Sequence, residues 1–174
     1  IACSLVIYFQ MSFVRNKDLG FNYRNVVCSF SPMTMNQRHD MAQKLTTFSN
    51  AVTSIVGVDA FCVSSIVPGQ PIHFSGISLT CMKDMVKTEA FVQHINVDHS
   101  YFDLYKINIL AGRGFHINER YDIDEVVLNR KATEDLGFLN PANAIGKVIN
   151  SGTNAWTVIG VVENYHHHSL KDKL

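Results

Sequence analysis

The first fourteen positions, IACSLVIYFQMSFV, are mostly apolar, with no charge before Arg15. A bilayer-crossing helix needs about 20 apolar residues. The chain starts without an initiator Met, as expected of a piece cut from a longer protein, so Ile1–Phe9 is expected to be the outer end of a membrane span. Tyr8 and Phe9 would then lie at headgroup level, where aromatic rings are favoured. An amphipathic helix packed on its own domain is the alternative, whereas a secretory signal would need a basic leading region and a small-residue cleavage site.

Further along, Met41, Leu45, Phe48, Val52 and Ile55 recur in steps of four and three, which predicts an amphipathic helix within residues 36–55, stopped at Gly57. Strand formers are dense in residues 25–31, 58–65, 73–81 and 89–97. Turns are expected at 18–22 and at Pro68-Gly69-Gln70-Pro71. Residues 100–105 suit a short helix and 107–110 an extended segment, with Gly112 and Gly114 bending the chain after it. Residues 125–128 form the next strand, and Asn129 caps a helix ending at Gly137. Residues 147–150 and 155–162 read as a hairpin. No repeat and no regular βαβα alternation runs through the chain, so the fold class is α+β.

The length of 174 residues suits one domain of one or two lobes. With 47% hydrophobic and 17% charged residues, a disordered chain is excluded. Fifteen basic residues balance fifteen acidic ones, which leaves no positive field to attract nucleic acid.

Candidate chemistry is sparse. The stretch around Gly112-Arg113-Gly114 lacks the third glycine and following helix of a dinucleotide loop, so a tight bend with Arg113 paired to a carboxylate is expected. His166, His167 and His168 are consecutive and cannot readily converge on one ion, so they read as solvated loop residues. Glu119, Asp122, Asp124 and Glu125 lack the spacing of a calcium loop and read as a solvated turn. Cys28 and Cys62 fall in apolar stretches and are expected to be buried. A disulfide among Cys28, Cys62 and Cys81 stays open, because spacing does not choose a pair. No catalytic, metal or cofactor site is read from these residues.

Several short segments, taken in order, resemble the extracytoplasmic core domain of the MacB-like/FtsX-like family of ABC transporter permeases. They are Gln10 with Asp18-Leu19-Gly20-Phe21-Asn22; Gly57-Val58, Ser64-Ser65 and Val67-Pro68-Gly69; and Val97-Asp98, Tyr101-Phe102 and Leu110-Ala111-Gly112-Arg113-Gly114-Phe115. Val126-Val127-Leu128-Asn129 with Leu136-Gly137-Phe138, then Pro141 and Ala144-Ile145-Gly146-Lys147, follow. Ile159-Gly160-Val161-Val162, Tyr165-His166 and Ser169-Leu170 close the series. Glu163-Asn164-Tyr165 departs from the family, where Lys or Arg, then Asp-Phe, is commoner.

The resemblance implies a two-lobed domain of mixed β-sheet with packed helices. Residues 1–14 would be the end of a transmembrane helix and a stalk, residues 15–174 the core domain, and roughly 69–145 an inserted lobe. It also implies a non-catalytic, periplasmic part of a cytoplasmic-membrane permease, without a cofactor. Its partners would be a cytoplasmic ABC ATPase subunit, a periplasmic adaptor or substrate protein, and a second copy in a permease homodimer. A continuous helical stalk over residues 10–20 would transmit motion from span to domain. Two other classes stay open: a sensor domain of a membrane receptor, and a hydrolase built on the histidines at 166–168.

Overall fold

In the computed structural model, residues 2–16, 19–30, 41–68, 70, 76–83, 86–116 and 124–167 are described. In chain order the elements are α1 (Ala2–Asn16), α2 (Met41–Thr53), β1 (Gly76–Lys83), β2 (Val86–Gln93), α3 (Tyr101–Leu104), β3 (Ile109–Gly112), β4 (Glu125–Asn129), α4 (Arg130–Asp135), β5 (Val148–Ser151) and β6 (Asn154–Val162). A 3₁₀ turn at Pro141–Ala144 precedes β5.

The longest strand, β6, organises the sheet. β5 pairs antiparallel along its first half, β3 antiparallel along its last residues, and β4 runs parallel beside it. β1 joins β5 and carries β2, giving six strands in one mixed sheet. Strands from both sides of residue 145 therefore share this sheet. Against β4, β6 bulges: Val126 faces Val158, but Val127 faces Gly160. The extra residue shifts the side-chain phase, so Val158 and Val161 reach the same core cluster although they are three apart.

That first cluster joins Leu79 and Cys81 of β1, Ala90 of β2, Leu128, Ile149, Val158 and Val161 to Ala132 and Leu136 in and just after α4. Val126 packs on it as well, while the intervening Val127 packs on a second cluster, the period of two expected of a strand. The second cluster is built from Tyr101, Phe102, Tyr105, Ile107 and Val162, with Phe21 and Tyr165 against it.

Several local expectations hold. The Asn129 side chain accepts from the Ala132 N–H at 2.8 Å and starts α4, and Gly137 follows with φ +87°. The β5–β6 hairpin turns through Gly152, at φ +58°.

Others do not. Residues 25–30, expected as a strand, pair with nothing in the sheet, and Val27 and Phe30 are 94% and 92% exposed. Strand propensity measures fit to a neighbouring strand, and among the described residues none lies beside this segment. Residues 58–65 are likewise irregular, apart from one bridge between Ser64 and Val97. Cys28 is therefore exposed and Cys62 only half-buried; Cys81, inside β1, is the buried thiol. The strand expected at 89–97 starts earlier, at Val86, and ends at Gln93. Gly112, expected to break regular structure, is instead the last residue of β3.

The stalk also differs from the expectation. α1 ends at Asn16, and Leu19 and Gly20 are not helical, with Gly20 at φ +79°. Leu5, Val6, Ile7, Tyr8, Phe9 and Met11 stand exposed along α1 rather than packed on the domain. No helix among the described residues is long and apolar enough to cross a membrane.

Candidate functional site

Where the chain comes in from α1 and where it leaves β6, its two segments meet. The Leu19 carbonyl accepts the His166 N–H at 2.8 Å. A Cβ added to Gly20 would lie 2.6 Å from the Asn164 carbonyl oxygen, so only glycine allows this approach. Phe21 sets its ring edge against Tyr165 and Tyr105, with centroids 6.2 and 5.8 Å apart, and the Asn22 N–H donates to the Tyr105 carbonyl at 2.7 Å. Burial raises Tyr165 above its ordinary value, so its hydroxyl stays neutral.

Charge and amide contacts tie the outgoing segment to α4. Arg130 forms a two-pronged pair with Glu163, each contact 2.9 Å, and the Asn164 side chain accepts from the Lys131 N–H at 2.9 Å. The guanidinium holds the Glu163 carboxyl below its usual range. On the incoming side, Asp98 anchors residues 62–65. Its carboxylate accepts from the Val63 and Ser100 N–H groups, its own N–H donates to the Val63 carbonyl, and the Ser65 N–H donates to the Asn96 carbonyl. Burial raises Asp98 even though those hydrogen bonds oppose the shift.

Two groups stand out among the singled-out residues. Gly20 and Phe21 form the junction. Gly112, Arg113 and Gly160 form a second constellation in the sheet: Arg113 donates to the Gly114 carbonyl at 3.0 Å and pairs at 2.6 Å with Glu125, which supplies the expected carboxylate and so starts β4 rather than lying in a solvated turn. Phe115 stacks on Phe102 with centroids 6.1 Å apart. Gly146, at φ +75°, donates its N–H to the Val158 carbonyl. Pro68 lies half-buried at the turn closed by the Gln70 N–H and the Val67 carbonyl. Gly69, Ser169 and Leu170 lie outside the described residues, as do His168, Glu119 and Asp122.

Asp98, Arg130 and Glu163 were missed as a set. Glu163 carried one signal, its departure from the family's basic residue; Asp98 carried none beyond its place before Tyr101-Phe102. Of the histidines, His166 contributes its backbone N–H and His167 its ring against Tyr165. Among the described residues no group of three or more His, Cys, Asp or Glu is placed to hold a metal ion. The arrangement ties, stiffens and orients two chain segments.

The family model described as MacB-like periplasmic core domain matches residues 33–172. Among solved structures, the chain is similar to the periplasmic region of MacB from Actinobacillus actinomycetemcomitans, at 17% identity and TM-score 0.45, covering 71% of this chain and 52% of that one. It is also similar to the extracellular domain of the noncanonic ABC-type transporter YknZ from Gram-positive bacteria, at 20% identity and TM-score 0.42, covering 66% of this chain and 55% of that one. The chain thus spans about half the length of these structures. No curated protein sequence matches it. On the strength of the family match, the chain belongs to the MacB-like periplasmic core domains, the extracytoplasmic part of MacB/FtsX-like ABC transporter permeases.

Proposed function

We propose that this chain is a non-catalytic moving part of such a permease, coupling ATP hydrolysis by a cytoplasmic ABC ATPase subunit to substrate export or to control of a periplasmic partner. The observation that carries this reading is the Leu19–His166 hydrogen bond, with Gly20 against Asn164. A domain clasped where its chain arrives and leaves turns as one body when the attached membrane helices move, which is the rigid-body form of conformational coupling. The exposed apolar residues of α1 fit the end of a membrane helix. Because residues 19–20 are not helical, the clasp rather than a continuous helix would transmit the motion. The permease would act as a homodimer, with an adaptor or substrate protein meeting the outer domain.

Two glycines inserted after Asn16 in the full permease test the reading. The expected result is continued ATP hydrolysis with export lost and the domain's thermal unfolding unchanged. Export at the unmodified rate would overturn it.

A further inference from the structure

We infer that β2 is the edge along which two copies of this chain pair, joining their sheets into one across a two-fold axis at Thr88. β2 ends the strand order: it pairs with β1 over Val86–Gln93, and among the described residues no strand lies on its other side. Such an edge offers backbone N–H and C=O groups to a strand that comes alongside. Natural sheets blunt it with charge, and β2 carries exposed Lys87 and Glu89. What those two charges do depends on register.

In an antiparallel ladder, directly opposed residues share one hydrogen-bonding type. Two identical strands paired about a two-fold axis therefore place one residue on the axis, opposite its own copy. An axis at Lys87 sets lysine on lysine, and one at Glu89 sets glutamate on glutamate; like charges directly opposed destabilise a sheet. Axes at Ala90 or Phe91 set Glu89 against an uncharged residue. An axis at Thr88 sets Lys87 of each copy opposite Glu89 of the other, which makes two opposite-charge pairs on one face. The charges that discourage other strands thus favour a single self-pairing.

The surroundings fit that register. From β1, Ser78 donates to Glu89 at 2.5 Å and holds the carboxylate against the sheet, so little side-chain freedom is lost when it meets a lysine. On the core face, the Thr88 hydroxyl donates to the Leu136 carbonyl at 3.1 Å, just beyond α4. A two-fold axis at Thr88 sets this turn beside its copy on one side of the joined sheet. Leu139, three residues on and 92% exposed, gives that contact an apolar residue. The pairing is isologous, closes at two copies and leaves no β2 edge open. It deepens the homodimer reading above, on which it rests for its membrane setting, by naming where the outer domains meet.

Sedimentation equilibrium of the whole chain, in a mild detergent that shields the apolar residues of α1, tests the assignment. The wild-type chain should dimerise, more tightly at low salt than at high. Lys87→Glu makes both pairs carboxylate on carboxylate, and Glu89→Lys makes them ammonium on ammonium. Each should raise the dimer dissociation constant on the order of tenfold. The double variant Lys87→Glu/Glu89→Lys exchanges the partners and should return the constant to near its wild-type value. Both side chains are exposed, and circular dichroism checks that each variant keeps the fold. A covalent link reads the register separately. Chains carrying Lys87→Cys and chains carrying Glu89→Cys, all with Cys28→Ser, should form a disulfide-linked dimer when oxidised together and far less when oxidised alone. A monomeric wild-type chain would leave the edge to a different protein and overturn the assignment. So would a dimer that ignores both reversals or is not recovered in the double variant. Association is read without ATP or export, so its failure leaves the coupling proposal standing and its success does not establish it.

Discussion

Gly112 and Gly160 are register partners across β3 and β6, and each leaves the other strand's backbone the room it occupies. A Cβ on Gly112 would run into the Ile159 carbonyl oxygen, and one on Gly160 into the Arg113 carbonyl oxygen. Gly112 also has φ +71°, where an L side chain is strained. The close approach lets the Arg113 N–H donate to the Ile159 carbonyl at 3.0 Å and extend the pairing past the strand end.

Gly112→Ala and Gly160→Ala are each expected to lower unfolding free energy by about 2–3 kcal/mol through overpacking against backbone. Gly146→Ala, with φ +75° but nothing within 4 Å of its Cβ, should lose only about 1 kcal/mol. Urea unfolding midpoints of the three variants check this. Equal losses at Gly160 and Gly146 would refute the steric account.

Arg113 and Glu125 join the bend after β3 to the start of β4. Their side chains are 40% and 23% exposed, so solvent screens the pair in part. A double-mutant cycle of Arg113→Gln and Glu125→Gln should give a coupling of about 1 kcal/mol that shrinks in high salt. A coupling insensitive to salt would mean that shape, not charge, holds the loop.

Asp98 reverses the usual carboxylate behaviour with pH. Burial raises it above its ordinary 3.8, so the folded state holds the proton more tightly than the unfolded chain. The linked stability is fully present below 3.8 and is lost as pH rises through the raised native value. Asp98→Asn should flatten this part of the stability-against-pH curve. It should also cost about 1–3 kcal/mol at neutral pH, because one of the two backbone N–H groups loses its acceptor. Chemical unfolding across that pH range checks both points. A slope unchanged in Asp98→Asn would assign it to another group.

The clasp has a direct readout in amide exchange. The His166 N–H, bonded to the Leu19 carbonyl, should exchange more slowly than an open amide. Gly20→Ala, which forces a Cβ towards the Asn164 carbonyl, should raise that rate on the order of tenfold while leaving β1 and β2 protected. An unaltered His166 rate in a folded Gly20→Ala variant would show that the two segments are not held through Gly20.

Particular residues show what the chain announces by itself. Asn129 followed by a helix and Gly137, and the four-residue turn before Ala155, are recognisable because donor, acceptor and turn lie within a few residues; the stripe from Met41 to Val52 is recognisable by its helical period, although α2 ends at Thr53, short of Ile55. The ordered series of short segments that resembles the family was equally legible, and the family match over residues 33–172 agrees with it. The expected Arg113–carboxylate pair needed one more fact, that β4 starts beside the bend, before Glu125 could be named as the partner.

Sequence alone settled the α+β class, the caps and the turns, because those depend on backbone preferences and hydrogen bonds between near neighbours. Tertiary structure alone decided which apolar stretches become strands, since residues 25–30 and 58–65 carry strand composition but find no ladder among the described residues, while β1 and β2 do. It also brought Leu19 to His166 and Gly112 to Gly160. Contacts between residues so distant along the chain follow from how the sheet and its two core clusters close, which no local pattern encodes.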